Sequence, residues 1–475
     1  MSPEVRRATV PGTDAQPDYS LYLPWVQRLK LALERGEGSV VSELILVHAG
    51  NVNGTIELAN DDWLKDPRVQ LPPSVLLGDL HFLKALPEKC QEVFDEIFEI
   101  STNELEWRAS RPATFGLAGL WSLEYKRELT NPLCITASRG YTDCLRYLLH
   151  RKADPNAAPG GQSALHEACA RGHTECAQLL LEHRANPNLL SHEGLTPLHL
   201  CTSKDTLRCA KLLIKYGAAV NQASEDAQET PLHVAAKQAL PEHALLYLHH
   251  GASVDGLNAQ HETPLNAACG QDTELQDQGI YLQVCRLLLA HGANANTTDE
   301  EKKSPLHKAC KNASHSLVEL LLENGADVNA IDYNGASPLS CTLQTAAFKQ
   351  KRSPQNTVMA LLNHGSLRVW PTAFGKVLQT CASAPRVIEI LFNSYEHISI
   401  SDHWVDTIPE EVFQTHLSFY KSLVQLSSCA RSLQHLCRCS IRKHFGSQCH
   451  CLIPKLPMPT ILQDYLLLQP DGSLV

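Results

Sequence analysis

The stretch TPLHVAA, residues 230–236, decides the fold, because six other segments open in the same way. They are TNPLCITA at 130, SALHEACA at 163, TPLHLC at 196, TPLNAAC at 263, SPLHKAC at 304 and SPLSC at 337. The proline place, held once by alanine, advances by 32, 33, 34, 33, 41 and 33 residues, so one step carries an insertion and the others share a period. Each opening is a helix start. Thr196 or Thr230 can cap a helix with its hydroxyl, and the proline that follows suits the first helical position, where no backbone donor is lost. A second apolar stripe, such as Cys209, Leu212 and Leu213, comes before Gly217, a left-handed stop. Each unit therefore reads helix, turn, helix, hairpin loop.

The endings agree as well: ADPN at 153, ANPN at 185, AAVN at 218, ASVD at 252, ANAN at 293 and ADVN at 326. Neither helix of a unit can bury its apolar face alone, so neighbouring units must stack. A period near 33 that opens T-P-L-H-x-A resembles the ankyrin repeat. The resemblance implies an all-α solenoid with β-hairpin loops that binds proteins along its concave face and loop tips. Residues 130–365 would hold seven repeats. Before them, 1–20 reads as a flexible terminus and 21–129 as a helical cap, with a degenerate unit at 29–45 and Leu120, Trp121, Leu123 and Tyr125 packing onto the first full repeat. After them, AFGKVLQTC, PRVIEILFNSY and PEEVFQTHLSFYKSLVQLS make a helical connector over 366–428, leaving 429–475 as a separate tail module.

Composition narrows the function. A chain of 475 residues holds two or three domains, or one elongated array with a module attached. With 41 basic against 51 acidic residues, the formal charge of -10 disfavours nucleic acid as a ligand, since phosphate binding needs clustered Lys and Arg. No apolar run of signal-peptide length opens the sequence, and none reaches the ~18 residues of a membrane helix. A soluble protein of the cytoplasm, or of the nucleus as well, is expected, with no membrane contact. The 17 cysteines then stay free. Cys144, Cys176 and Cys209 each lie nine residues before Ala153, Ala185 and Ala218, while Cys169, Cys269 and Cys310 share a place on the first helix, a pattern of core packing. His166, His199, His233 and His307 fall one to a repeat, where the family's motif uses histidine to link adjacent loops. HEACARGH at 166 is not H-E-x-x-H, because its second histidine falls seven residues on. No phosphate loop, G-x-S-x-G or carboxylate pair appears, so no catalytic residue, no metal and no cofactor is expected.

Two irregular places could carry specificity. The long step inserts GQDTELQDQGI at 270–280, with Asp272 and Glu274, and the next loop carries Asp299, Glu300 and Glu301. With Tyr333 one loop further, these are the candidate contacts for an unknown protein substrate; a solvated loop surface is the plainer alternative.

The tail holds SLQHLCRCSI, residues 432–441. Cys437, Cys439, His444, Cys449, His450 and Cys451 suggest zinc, but both ends show one-residue spacing where structural zinc takes C-x2-4-C or H-x3-5-H pairs. A helix explains more residues. Leu433, Leu436, Cys437, Ser440 and Ile441 fall within about 140° at 100° per residue, with His435, Arg438 and Arg442 on the back. Downstream, Leu456 and Met458 each precede a proline, which stiffens Leu456–Pro459 into an extended segment before Thr460 resumes a helix whose Ile461, Leu462, Tyr465 and Leu466 could close on the first. Ser432, Leu433, Cys437 and Ile441 fill the fixed places of the elongin-binding box of the SOCS-box family, and Leu456, Pro457, Met458 and Pro459 match its L-P-apolar-P cullin box. The whole chain resembles the ankyrin repeat and SOCS box family. That resemblance implies a non-catalytic adaptor: Ser432, Leu433, Leu436, Cys437 and Ile441 would meet elongin B/C, Leu456 to Pro459 would add a surface for cullin-5 with its RING protein, and the repeats would hold a substrate for ubiquitination. The rival is an ankyrin scaffold whose tail packs on its own array, with Leu433 and Cys437 shielded from solvent.

Overall fold

The computed structural model describes residues 56–58, 98–109, 121–130, 132–150, 152–158, 161–272, 277–400 and 402–470. The expected flexible terminus at 1–20, the degenerate unit at 29–45 and Glu274 lie outside these residues.

The repeat openings do locally what their chemistry demands. Ser304 is extended (φ -79°, ψ 165°) and its Oγ takes the His307 amide at 3.5 Å. In return the His307 ring reaches back, its Nδ1 accepting from the Ser304 amide at 3.2 Å, and Pro305 fills the first helical place without losing a donor. The same reciprocal box forms at Ser163 with His166 and at Thr230 with His233. Gly217 closes its unit at φ 91°, and nothing lies within 4 Å of where a Cβ would stand, so its backbone conformation alone calls for glycine.

The chain divides into two compact units, residues 1–201 with 208–218 and residues 202–207 with 219–475. In the first, α1 (Pro132–Arg139) packs on α3 (Ala164–Arg171), and α2 (Thr142–His150) on α4 (Thr174–Glu182). Leu145, Leu165, Leu180 and Leu198 fill their interior, with Cys169, Cys176, Cys201 and Cys209 buried among them. At Thr196 the expected inner helix shrinks to a single turn of i to i+3 bonds, from the His199, Leu200 and Cys201 amides. There Thr202 and Ser203 stand where Ala236 and Lys237 continue the helix in the next unit, and such hydroxyls compete for backbone groups. The outer helix α5 (Leu207–Lys215) forms, with Cys209 and Leu213 buried.

The expected helical cap over 21–129 is corrected in its described parts, which are strands. β1 (Ile56–Leu58) pairs parallel with β2 (Phe98–Ala109), and β2 pairs antiparallel with β3 (Trp121–Thr130), matching Phe98 to Thr130 and Leu105 to Tyr125. Trp121, Leu123 and Tyr125 recur every second residue, a strand period, which outweighs their neighbourhood to a helical repeat.

The second unit carries the inner helices α6 (Pro231–Lys237), α8 (Pro264–Cys269), α10 (Pro305–Lys311) and α12 (Pro338–Thr345). Its outer helices are α7 (Pro241–His249), α9 (Gln278–Ala290), α11 (His315–Glu323) and α13 (Pro354–Asn363). Inner packs on inner and outer on outer, so Leu232, Leu265, Leu288, Leu306, Leu321 and Leu361 are fully buried. A further pair, α14 (Phe374–Thr380) and α15 (Pro385–Ser394), repeats the rhythm without the motif, α15 lying on α13. The connector adds α16 (Asp402–Val405), α17 (Glu410–Thr415) and α18 (Leu417–Ser428), anchored by the buried Tyr420, whose hydroxyl donates to Ala382 O at 2.5 Å. Among the described residues no helix is long and apolar enough to cross a membrane.

The repeat histidines are struts. His166, His233 and His307 accept at Nδ1 from their own cap and donate from Nε2 to a carbonyl of the next hairpin, at Leu195 O (3.0 Å), Glu262 O (3.0 Å) and Ala336 O (3.1 Å). That pairing fixes the neutral tautomer, and burial pulls all three pKa values down. Where asparagine replaces histidine, Asn266 Nδ2 still reaches Thr297 O at 3.3 Å. We expect His307→Ala to lower unfolding stability by about 2 kcal/mol, since it leaves Ser304 N buried and Ala336 O half-buried without that partner; a urea titration reads it.

Candidate functional site

The two irregular places of the sequence meet in space. Asp272 from the inserted segment and Asp299, Glu300 and Glu301 from the following hairpin line one cleft of about 740 Å³, and Tyr333 joins it through its amide, which donates to Glu301 O at 3.0 Å. The sequence reading missed the other side of this cleft: Lys237, Lys303, Lys308, Lys311 and Lys349. Lys308 Nζ sits between Glu262 (2.5 Å) and Asp299 (2.9 Å), all three largely buried. Asp272 binds Lys349 and Arg352, each at 3.0 Å, and Lys303 pairs with Glu301. These cations hold the Asp272 and Glu262 carboxyls below the usual carboxylate range against the opposing pull of burial. Asp299 is structural rather than free, because its Oδ1 also accepts from the Glu301 and Lys303 amides that shape the hairpin.

The tail begins with a helix, α19 (Leu433–Phe445), capped by Ser432, whose Oγ accepts from His435 N at 3.2 Å. It is mounted with its apolar stripe outward. Leu433 is 81 % exposed, Leu436 42 %, and Cys437 and Ser440 also face solvent, whereas His435 and Arg438 are 1 % and 4 % exposed. The inward face is polar and knitted to the preceding repeats. His435 Nε2 donates to Tyr395 O at 2.8 Å, while its Nδ1 accepts from Arg431 (2.9 Å) and Arg438 (2.8 Å). Arg442 donates to Asn363 Oδ1 (2.6 Å), Leu466 O (2.8 Å) and Leu362 O (3.2 Å). The guanidiniums of Arg431 and Arg438 also lie over the rings of Phe392 (4.6 Å) and Tyr465 (4.2 Å). Against α13, the His364 and His450 rings stack at 3.7 Å, and a Cβ on Gly365 would stand 2.7 Å from Ser447 Cβ.

Below α19 lies a small core of Cys449, Ile453 and Leu466, with Ile441, Leu456 and Met458 half-buried against it. Cys449 and Ile453 belong to α20 (Cys449–Leu452) and the turn after it, and Leu466 to α21 (Thr460–Leu466). Leu456 is extended (ψ 138°) as its following proline requires, Pro457 and Pro459 are exposed, and Gln463 Nε2 pins Leu456 O at 3.0 Å. Of the α21 face, Tyr465 and Leu466 close on α19, but Ile461 (78 % exposed) and Leu462 (43 %) do not. The tail's thiols point different ways: Cys437 outward, Cys439 toward Tyr395 O, Cys449 toward Gly446 O.

Burial and the flanking arginines push His435 down to about 4. Since its ordinary value is near 6.5, the unfolded ring protonates first as pH falls, and the docked ring does not. Docking stability from this residue is therefore full above about pH 6.5 and is lost as pH falls toward about 4. Hydrogen exchange of residues 433–445 at pH 7 and pH 5, corrected for intrinsic rates, should show protection falling at pH 5 in the native chain and not in His435→Gln.

Comparison with known proteins agrees with this anatomy. The SOCS box family profile matches residues 429–467, and that of ankyrin repeats matches 120–190, 183–258, 232–332 and 274–370. The chain is 57 % identical over 463 residues to human ankyrin repeat and SOCS box protein 18, covering 98 % of this chain and 99 % of that one. It is 40 % identical to mouse ankyrin repeat and SOCS box protein 16 (86 % and 87 % covered) and 46 % identical to human ankyrin repeat and SOCS box protein 10 (80 % and 82 %). With both modules matched and nearly the whole length shared, the chain belongs to the ankyrin repeat and SOCS box family.

Proposed function

We propose that this chain is the substrate-recognition adaptor of an elongin B/C and cullin-5 ubiquitin ligase of the cytoplasm and nucleus. The family as a whole supplies substrate adaptors to cullin-RING ligases. The observation that carries the finer reading is the mounting of α19: its polar face is consumed by hydrogen bonds within the chain, and Leu433, Leu436 and Cys437 are left to solvent. An amphipathic helix ordinarily buries its apolar stripe. One held in the opposite sense presents a ready-made knob to a partner, at little further loss of conformational freedom. Leu433 and Cys437 enter an apolar pocket on elongin C, and the stiff Leu456 to Pro459 segment adds the cullin-5 contact. The chain performs no chemistry; it brings a bound client close to the ubiquitin-loaded enzyme. A passive scaffold would need Leu433 and Cys437 shielded, and their exposure argues against it.

Co-expression with elongins B and C followed by size-exclusion chromatography tests the proposal. A stoichiometric complex that also retains cullin-5 is expected, and failure to form it with elongin would return the chain to the scaffold reading.

A further inference from the structure

The cleft of the second unit is asymmetric at its outer ion pairs. Three of them sink the cation and expose the anion, Lys349 and Arg352 being 19 % and 14 % exposed against 60 % for Asp272, and Lys303 25 % against 64 % for Glu301, whereas the Lys308 pairs with Glu262 and Asp299 are buried on both sides. Glu300 is exposed beside them, and Lys311 is the exposed cation of the lining. A carboxylate engaged by one lysine still has lone pairs to offer, so each outward oxygen can take a second donor without losing the first. The carboxylates also come to the cleft from two separate elements, Asp272 from the inserted segment after α8 and Glu300 with Glu301 from the hairpin before α10. Next to the hairpin rim stands Tyr333, 67 % exposed, and Lys302 Nζ already lies 4.9 Å from its ring centroid, so this face accepts a cation.

Resting on the adaptor reading, we propose that this cleft is the client-docking site and that its occupant is an extended, arginine-bearing segment of the client protein. Successive side chains of an extended segment point to opposite sides. Two arginines in adjacent places then reach both rims, one to Asp272 and the other to Glu300 and Glu301 with its guanidinium over Tyr333. Arginine suits these partners better than lysine because its planar fork matches a carboxylate edge and stacks on an aromatic face. The volume of about 740 Å³ lies within the range of clefts that enclose a ligand of a few residues. The ion pairs beneath hold the rims in place before binding, so little order has to be created on docking.

Fluorescence anisotropy of the full chain tests this with labelled serine-rich dodecapeptides: one with arginines at positions 4, 5, 8 and 9, one with glutamates there. The arginine probe should bind, less tightly as salt rises, and the glutamate probe should not. Glu300→Gln with Glu301→Gln and Tyr333→Ala, all at exposed side chains, should weaken the arginine probe at least tenfold. Glu225→Gln with Asp226→Asn removes two exposed carboxylates of an earlier hairpin, outside the cleft lining, and should change the affinity less than twofold. The proposal is overturned if the arginine probe does not bind, if the triple variant binds it unchanged, if the Glu225 and Asp226 variant loses as much, or if the glutamate probe binds equally. Leu433→Asp should leave these affinities intact, so loss of elongin binding and loss of client binding are read separately.

Discussion

Leu433→Asp should abolish the proposed complex with elongins B and C while leaving the chain itself as stable as before. Burying a leucine in an apolar pocket contributes about 1.5 to 3 kcal/mol, and forcing a carboxylate into the same pocket adds a desolvation penalty on top. A total beyond about 3 kcal/mol is more than about a 100-fold loss of affinity, enough to remove the complex from a sizing column. The free chain has nothing to lose, because Leu433 is 81 % exposed and touches no core. Its melting profile should shift by less than about 0.5 kcal/mol in stability, as for ordinary surface changes. Cys437→Phe on the next turn should act in the same direction by overfilling the pocket. If Leu433→Asp still co-elutes with elongins, the outward stripe of α19 is not the docking surface.

Arg442→Met gives the second large effect, on the opposite face of the same helix. Its guanidinium donates to Asn363 Oδ1, Leu466 O and Leu362 O, and thereby ties α19 to α13 and to the end of α21. Hydrogen bonds to a charged group contribute about 1.5 to 3 kcal/mol each, and the three are not additive because one fork makes them all. Methionine keeps the stem and leaves the three acceptors buried, for a net loss of about 3 kcal/mol in docking of the tail. Amide exchange over residues 433–466 should rise by about 100-fold, while exchange in α6 through α11 holds. Lysine should not rescue it, since a single ammonium cannot span three acceptors. Unchanged exchange in the tail would mean that the aromatic contacts of Arg431 and Arg438 suffice to hold it.

Much of this architecture can be read in the residues themselves. Seven openings near one period, six with a capping hydroxyl, six with the proline and four with a histidine three places after the cap, specify local hydrogen bonds that close within a few residues and across one hairpin. Such contacts depend on near neighbours in sequence, so they are legible there. The apolar stripe of α19 and the extended Leu456 to Pro459 segment are legible for the same reason, being fixed by helical spacing and by proline. Where the neighbours were ambiguous the reading failed. Trp121, Leu123 and Tyr125 suited a packed helix end as readily as the strand they form, and Thr196 opened a turn where a helix was expected.

The sequence by itself thus determined the repeat, the places of the histidines that link its loops, the free core cysteines, and the existence of an amphipathic helix followed by a stiff turn. Tertiary structure alone decided which side of that helix faces the protein. Helical spacing separates Leu433 from Arg442 but cannot say which is inward; that depends on whether carbonyls such as Leu362 O, Tyr395 O and Leu466 O stand ready to accept. A helix without a single acid and with His435, Arg438 and Arg442 on one side was the available hint. The cleft followed the same rule. Lys237 and Lys311 hold equivalent places in their repeats, yet their meeting with Asp272 and Glu301 required stacking to bring residues from four units together. Orientation and convergence are properties of neighbours distant in sequence, and only the packed fold supplies them.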